Sequence, residues 1–173
     1  GEADRAVGPL KCPTQHIEYD LSSRLIDFDK CTLAFTIVRH PFERAKSDYK
    51  WAYRKATNET KVPSLDDWLI YAIERYNENP YFFDNHIRPQ NSFVGPQIKK
   101  VYYYEDGLNF ILADVLKNAG LRPTSQNILK TKKVNVSSVY MNEIINNHPK
   151  NRILKAQRVV ENFYRLDYEY FAY

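Results

Sequence analysis

The first strong pattern along the chain is a continuous apolar run, TLAFTIVR at residues 32–39, rich in β-branched and aromatic side chains. A short run of this kind, apolar on both faces, predicts a buried strand of a parallel sheet. It stops at His40-Pro41. Proline suits the first turn of a helix, where its missing N–H costs nothing, and Glu43 is placed to complement the positive end of the dipole, so a helix is predicted from Pro41 to Ala56. Ser64, Asp66 and Asp67 open another, with the hydroxyl expected to cap it and Leu65, Trp68, Leu69, Ala72 and Ile73 following at helical spacing. Residues 79–97 carry Asn79-Pro80, Arg88-Pro89 and Gly95-Pro96, which predict a long ordered loop of the kind that often carries function. KKVYYYE at 99–105 predicts a second strand, and LNFILADVLKNAG a helix stopped by Gly120. Strand, helix, strand, helix implies an α/β fold, a parallel sheet flanked by helices. The tail from Ser138 to Tyr173 is predicted mostly helical and divided at Pro149, whereas Gly, Pro and charges predict an irregular segment over residues 1–15.

Without repeats or low-complexity tracts, the 173 residues are expected to form one domain, 1–173. Its 14 Tyr and 9 Phe supply core and cleft material, and only 5 Gly leave few places for a phosphate-cradling glycine loop. The net charge of +4 suits an anionic ligand, but the basic residues are scattered and no RNA motif is present, which argues against a nucleic-acid partner. No apolar run reaches membrane-spanning length and GEADRAVG lacks the apolar stretch of a signal peptide, so any membrane association is expected through an anchor outside this chain. Cys12 and Cys31 are too few for a disulfide framework and fit no zinc pattern; one bridge or two free thiols both stay open, and no metal is expected. Asn58-Glu59-Thr60 and Asn135-Val136-Ser137 are glycan acceptors if the protein is secretory.

The most informative segment is FTIVRHPFERAKSDY, residues 35–49. A strand that delivers Arg39 to a helix N-terminus brings a guanidinium, free backbone N–H groups and the positive dipole end to one point, which makes an anion site suited to phosphate. Arg44 and Ser47 share a helix face, so the hydroxyl can add a bond. The plainer reading is an arginine capping a sheet edge and a helix with ordinary surface charges. R-x-P-F-E-R-x-x-S-x-Y after an apolar strand resembles the 3'-phosphate-binding motif of Golgi-type carbohydrate sulfotransferases, the group that includes heparan 2-O- and chondroitin 4-O-sulfotransferases. DNHIRPQ at 84–90 is similar to the H-W-R-P-Q segment of the chondroitin and HNK-1-type enzymes, with Ile87 for the usual Trp. ENFYRLDYEYFAY at 161–173 resembles the family's closing helix, in which an Asp precedes an aromatic-rich end. The likeness runs from about residue 16 to the C-terminus.

The resemblance implies a P-loop-NTPase-like sheet, 3'-phosphoadenosine-5'-phosphosulfate (PAPS) as donor with adenosine 3',5'-bisphosphate (PAP) as product, and as acceptor a carbohydrate hydroxyl, an acidic glycan being one class of carrier. It carries the 3'-phosphate role onto Arg39 and Ser47 and gives Arg44 a structural or secondary one. It implies the Golgi lumen for a eukaryotic parent and the cytoplasm for a bacterial or viral one.

Transfer to a hydroxyl needs a base, and imidazole suits because it titrates near neutrality. His16, in QHIEYD, resembles the catalytic histidine of the G-H-V-x-Y-x-x-F segment of heparan 2-O-sulfotransferases, with Gln15 in place of Gly, and is the leading candidate; as a sequence feature it is equally a surface histidine. Glu18 is the reserve. His86 either lines the acceptor cleft or pins the long loop, while His40 and His148 read as structural. Lys130, Lys132 and Lys133 form a basic cluster that would assist the cofactor's phosphates or a sulfated chain, or is simply a solvated face. The family's P-K-x-G-[ST]-[ST] loop for the 5'-phosphosulfate is absent; PLKCPT at 9–14 has Lys11 and Thr14 but lacks a preceding strand, a glycine and a following helix. A fragment or a divergent protein is therefore expected, one that folds but transfers little sulfate alone. The rival reading is an inactive sulfotransferase-like domain that binds a nucleotide or acidic glycan.

Overall fold

The computed structural model describes residues 16–122 and 139–173. The order of elements is α1 (Tyr19–Leu25), β1 (Phe35–Val38), α2 (Pro41–Ala52), α3 (Leu65–Glu78), β2 (Lys100–Tyr103), α4 (Leu108–Asn118), α5 (Val139–Asn146), α6 (Lys150–Phe163) and α7 (Arg165–Phe171). Short 3-10 turns lie at Phe28–Lys30, Phe82–Asn85, Gln90–Phe93 and Tyr104–Asp106. The described residues are thus mixed α/β, mostly helical, with a small parallel sheet of two strands. They divide into a strand unit, residues 18–40 and 92–122, and a helical unit, residues 16–17, 41–91 and 139–173.

In the helical unit α3 packs against α6, and α2 packs against both. The stripe that each contributes follows helical spacing: Phe42, Ala45 and Tyr49 from α2, Leu65, Trp68, Leu69 and Ala72 from α3, and Ala156 and Val160 from α6. Met141 and Ile145 of α5, with Ile87 and Tyr164, belong to the same core. Tyr49 is fully buried, its ring edge-on to Trp68 at 5.6 Å, and its hydroxyl donates to the Pro63 carbonyl at 2.6 Å, so the one polar atom brought inside is satisfied. α2 ends at Ala52 rather than Ala56. Arg54 donates to the Trp51 carbonyl at 2.9 Å and stacks on the Trp51 ring at 3.9 Å, which satisfies the last turn and stops the helix. The tail breaks before Lys150, where Pro149 is the N-cap, and again at Tyr164.

The start of α3 departs from the expected cap. The Ser64 hydroxyl bonds not a backbone N–H but the carboxylates of Asp66 (2.6 Å) and Asp67 (2.8 Å). The Leu65 N–H donates instead to His148 Nε2 at 3.0 Å, while His148 Nδ1 donates to the Ile144 carbonyl at 2.5 Å. A histidine at the end of α5 thereby supplies the cap. Asp66 is fully buried, and Arg152 (2.9 Å) and Lys155 (3.1 Å) of α6 reach it. Burial alone would raise its carboxyl, but the bonds from Ser64, Arg152 and Lys155 prevail and hold it at about 2, against 3.8 when unperturbed. A depressed carboxylate stabilises the fold above its unfolded value and loses that contribution as pH falls through its folded value. Wild type is therefore expected to exceed Asp66→Asn by about 1–2 kcal/mol near neutrality, the gap closing between about pH 4 and pH 2. Urea denaturation across that range tests it, and a pH-independent gap would remove the ion-pair account.

In the strand unit β1 and β2 run parallel with Phe35 beside Lys100 and Val38 beside Tyr103. Both strands are shorter than their apolar runs. Of β1 only Val38 is buried, with Phe35 39% and Ile37 41% exposed, because among the described residues the sheet has two strands and covers only part of its surface. Asp114 of α4 accepts from Lys100 Nζ and, at 2.7 Å, from the Tyr102 hydroxyl, which fixes the helix to β2. α1 gave no periodic signal because it buries none of its residues fully. Its Tyr19 ring lies directly against Gly95, where a Cβ would force the ring aside.

Candidate functional site

The segment His86–Asn91 of the long loop is held peptide by peptide. Arg44 of α2 donates through Nη2 to the His86 carbonyl at 2.5 Å and the Arg88 carbonyl at 2.8 Å. The Tyr164 hydroxyl donates to the Ile87 carbonyl at 2.9 Å. Asp167 of α7 accepts the N–H of Gln90 on Oδ2 and of Asn91 on Oδ1, both at 2.8 Å. The Arg44 guanidinium also lies over the Tyr164 ring at 5.6 Å. Backbone groups with no strand or helix partner are expensive to bury, and here three side chains from two ends of the chain supply the partners. Burial raises the Asp167 carboxyl, and the bonds from Asn91, Gln90 and the Arg44 charge pull only partly against it.

Just before this segment Phe83, Asp84 and Asn85 adopt φ of 54°, 52° and 67° in succession. Non-glycine residues in that region store strain of about 1–3 kcal/mol each, most unfavourable for the bulky Phe83. The bend persists because Asn85 is buried and doubly engaged: its Nδ2 donates to the His16 carbonyl at 2.8 Å and its Oδ1 accepts from Arg88 Nε at 3.0 Å.

The bend brings two imidazoles together. The His16 and His86 rings meet edge to face at 4.8 Å, and Asp48 Oδ1 lies 3.2 Å from His86 Nδ1. Burial first, and then the neighbouring His86, hold His16 below the ordinary imidazole value of 6.5; Asp84 and Asp48 oppose this without cancelling it. His16 is therefore neutral at physiological pH, the form a proton acceptor needs. His86 is one-third exposed.

Arg39 follows β1 in the strand unit, half-buried, its guanidinium over the Tyr104 ring at 4.6 Å, and the adjacent His40 N–H donates to Glu105 at 2.8 Å. Glu18 is the N-cap residue of α1 in the same unit. Ser47 is exposed on α2 of the helical unit, one turn beyond Glu43, which pairs with Lys46 at 2.5 Å. A guanidinium and an exposed hydroxyl are each donors of the kind a phosphate takes. Lys11, Cys12, Lys130, Lys132, Lys133 and Asn135 lie outside the described residues; Cys31 is an exposed free thiol. Among the described residues no helix is long and apolar enough to cross a membrane.

Sequence reasoning missed Asp48 and the tyrosine of the clamp. Asp48 sits four residues after Arg44, a spacing that reads as a surface ion pair, yet it is buried. Tyr164 reads as core, which it also is.

No curated protein matches the chain, and no solved structure does. Residues 15–173 match the model described as "Sulfotransferase family". That match covers the strand and helix flanking Arg39, both histidines of the bend and the whole loop clamp, and on this basis the chain belongs to the sulfotransferase family, enzymes that transfer a sulfuryl group.

Proposed function

We propose that the protein transfers a sulfuryl group from PAPS to a carbohydrate hydroxyl. The observation that carries this reading is the run R-x-P-F-E-R-x-x-S-x-Y at residues 39–49, with a strand ending just before its arginine and a helix opening at its proline. When bound, PAPS supplies the sulfuryl group, and the electron pair of the broken sulfur–oxygen bond leaves on the phosphate of PAP. The Arg39 guanidinium and the Ser47 hydroxyl hold the 3'-phosphate. Arg44, engaged with loop carbonyls, has the secondary role of fixing the loop, and Lys132 and Lys133 add positive charge toward the cofactor. His16 accepts the proton of the acceptor hydroxyl while the oxygen attacks, with Glu18 and His86 as alternatives. The net charge of +4 favours an acidic glycan as acceptor. Asn58, on an exposed turn, is an accessible glycan acceptor and suits residence in a Golgi lumen.

A charge-assisted bond contributes about 1.5–3 kcal/mol, so Arg39→Ala is expected to weaken PAP binding about ten- to hundredfold and Ser47→Ala to weaken it less. Isothermal calorimetry with PAP measures both. Unchanged affinity in Arg39→Ala would sink the assignment. The acceptor is identified by assaying the full-length protein with labelled PAPS against desulfated heparan and chondroitin chains and neutral oligosaccharides.

A further inference from the structure

Asp48 is a buried carboxylate for which the phosphate motif has no use. It sits on the inner face of α2, 8% exposed, with Oδ1 3.2 Å from His86 Nδ1 and Oδ2 3.8 Å from Arg44 Nε. A carboxylate withdrawn from water needs donors, and the Arg44 guanidinium and the His86 imidazole lie beside it. A carboxylate only accepts, so the imidazole nitrogen beside it carries the proton, and in the neutral ring the lone pair is then on Nε2. The backbone of the same residue is fixed independently, because the His86 carbonyl accepts from Arg44. Ring and backbone are thus both held from α2, directly after three left-handed residues that would relax if nothing opposed them. The ring so held stands edge to face with His16 at 4.8 Å.

We propose that Asp48 is a positioning residue that fixes His86 as the Nδ1–H tautomer, making His86 Nε2 a second proton-accepting atom beside His16. The site then has two imidazole nitrogens for one acceptor proton: the O–H bond breaks, the proton passes to an imidazole, and the electron pair stays on the attacking oxygen. This use of the proton rests on the sulfuryl-transfer reading; the tautomer does not.

The test uses the full-length protein with nitrogen-15-labelled histidine. Long-range imidazole spectra under alkaline conditions are expected to show His86 as Nδ1–H in wild type and in Asp48→Asn, whose amide oxygen still accepts, and as a mixture of tautomers in Asp48→Ala. On the best acceptor of the glycan panel, Asp48→Ala is expected to lose about tenfold or more in kcat with acceptor KM and PAP affinity retained, and Asp48→Asn to recover part of it. An Nε2–H ring in wild type, or a tautomer indifferent to Asp48→Ala, overturns the proposal. Equal kcat losses in Asp48→Asn and Asp48→Ala with the tautomer kept in Asp48→Asn also overturn it, because the hydrogen bond would then not be what matters. A wild-type protein that transfers no sulfate yet shows the Asp48-dependent tautomer refutes the transfer reading and leaves the positioning of His86 standing.

Discussion

Asp167→Ala is expected to lower stability by about 2–4 kcal/mol, since it removes the acceptor from two backbone N–H groups in a buried setting and each such loss costs about 1–3 kcal/mol. Those groups, Gln90 and Asn91, lie 77 and 76 residues from Asp167, so the effect is on the packing of α7 against the loop rather than on either element alone. Urea denaturation gives the energy, and amide exchange gives the location: protection at Gln90 and Asn91 should fall more than protection in α3. Asp167→Asn, which keeps one acceptor and the shape, is expected to cost less. Its pH dependence has a definite sign. Burial raises the Asp167 carboxyl above its ordinary value, so ionising it costs stability as pH rises through the raised value, and the asparagine variant lacks that decline. Loss of stability confined to α7, with the loop amides unaffected, would show that the clamp is not what orders the loop.

His16→Ala is expected to lower turnover about a hundredfold or more while PAP affinity stays nearly intact, because a general base acts on the acceptor and not on the 3'-phosphate. His16 sits below the usual imidazole value through burial and its neighbour His86, so the acid limb of the rate profile should lie below that of an unperturbed histidine, activity falling as pH drops and the ring gains its proton. Steady-state kinetics on the best acceptor, with calorimetry on PAP alongside, separates the two effects. Turnover that survives in His16→Ala moves the role to His86 or Glu18. His16→Ala combined with Asp48→Ala is expected to lose less than the product of the two single effects if both act on one proton, since residues that work as a unit are not additive.

The strand before Arg39 and the helix after it were legible because their causes are local: β-branched residues stiffen an extended chain, and Pro41 with Glu43 fits the first turn of a helix. The core face of α3 was legible from spacing alone, and the family resemblance drew on contiguous motifs. Less local features were misjudged or missed. The Ser64 cap was assigned by proximity, yet His148, 83 residues on from Leu65, takes the backbone N–H because α5 ends beside α3 and the serine hydroxyl prefers two carboxylates. β1 reads as buried on both faces, but burial depends on how many neighbours a sheet has, which an apolar run does not encode.

By itself, then, the sequence determined that a strand precedes Arg39 and a helix follows it, and membership in a family of sulfuryl transferases. Tertiary structure alone decided which side chains meet at the loop. Arg44, Tyr164 and Asp167 are residues of ordinary surface or core type until α2, Tyr164 and α7 come to surround His86–Asn91, and His16, Asp48 and His86 become one group only through a strained bend at Phe83–Asn85. The physical reason is that periodicity reports which face of an element is apolar. The partner of a buried polar group is set by the packing of several elements at once, and no pattern within one of them can state it.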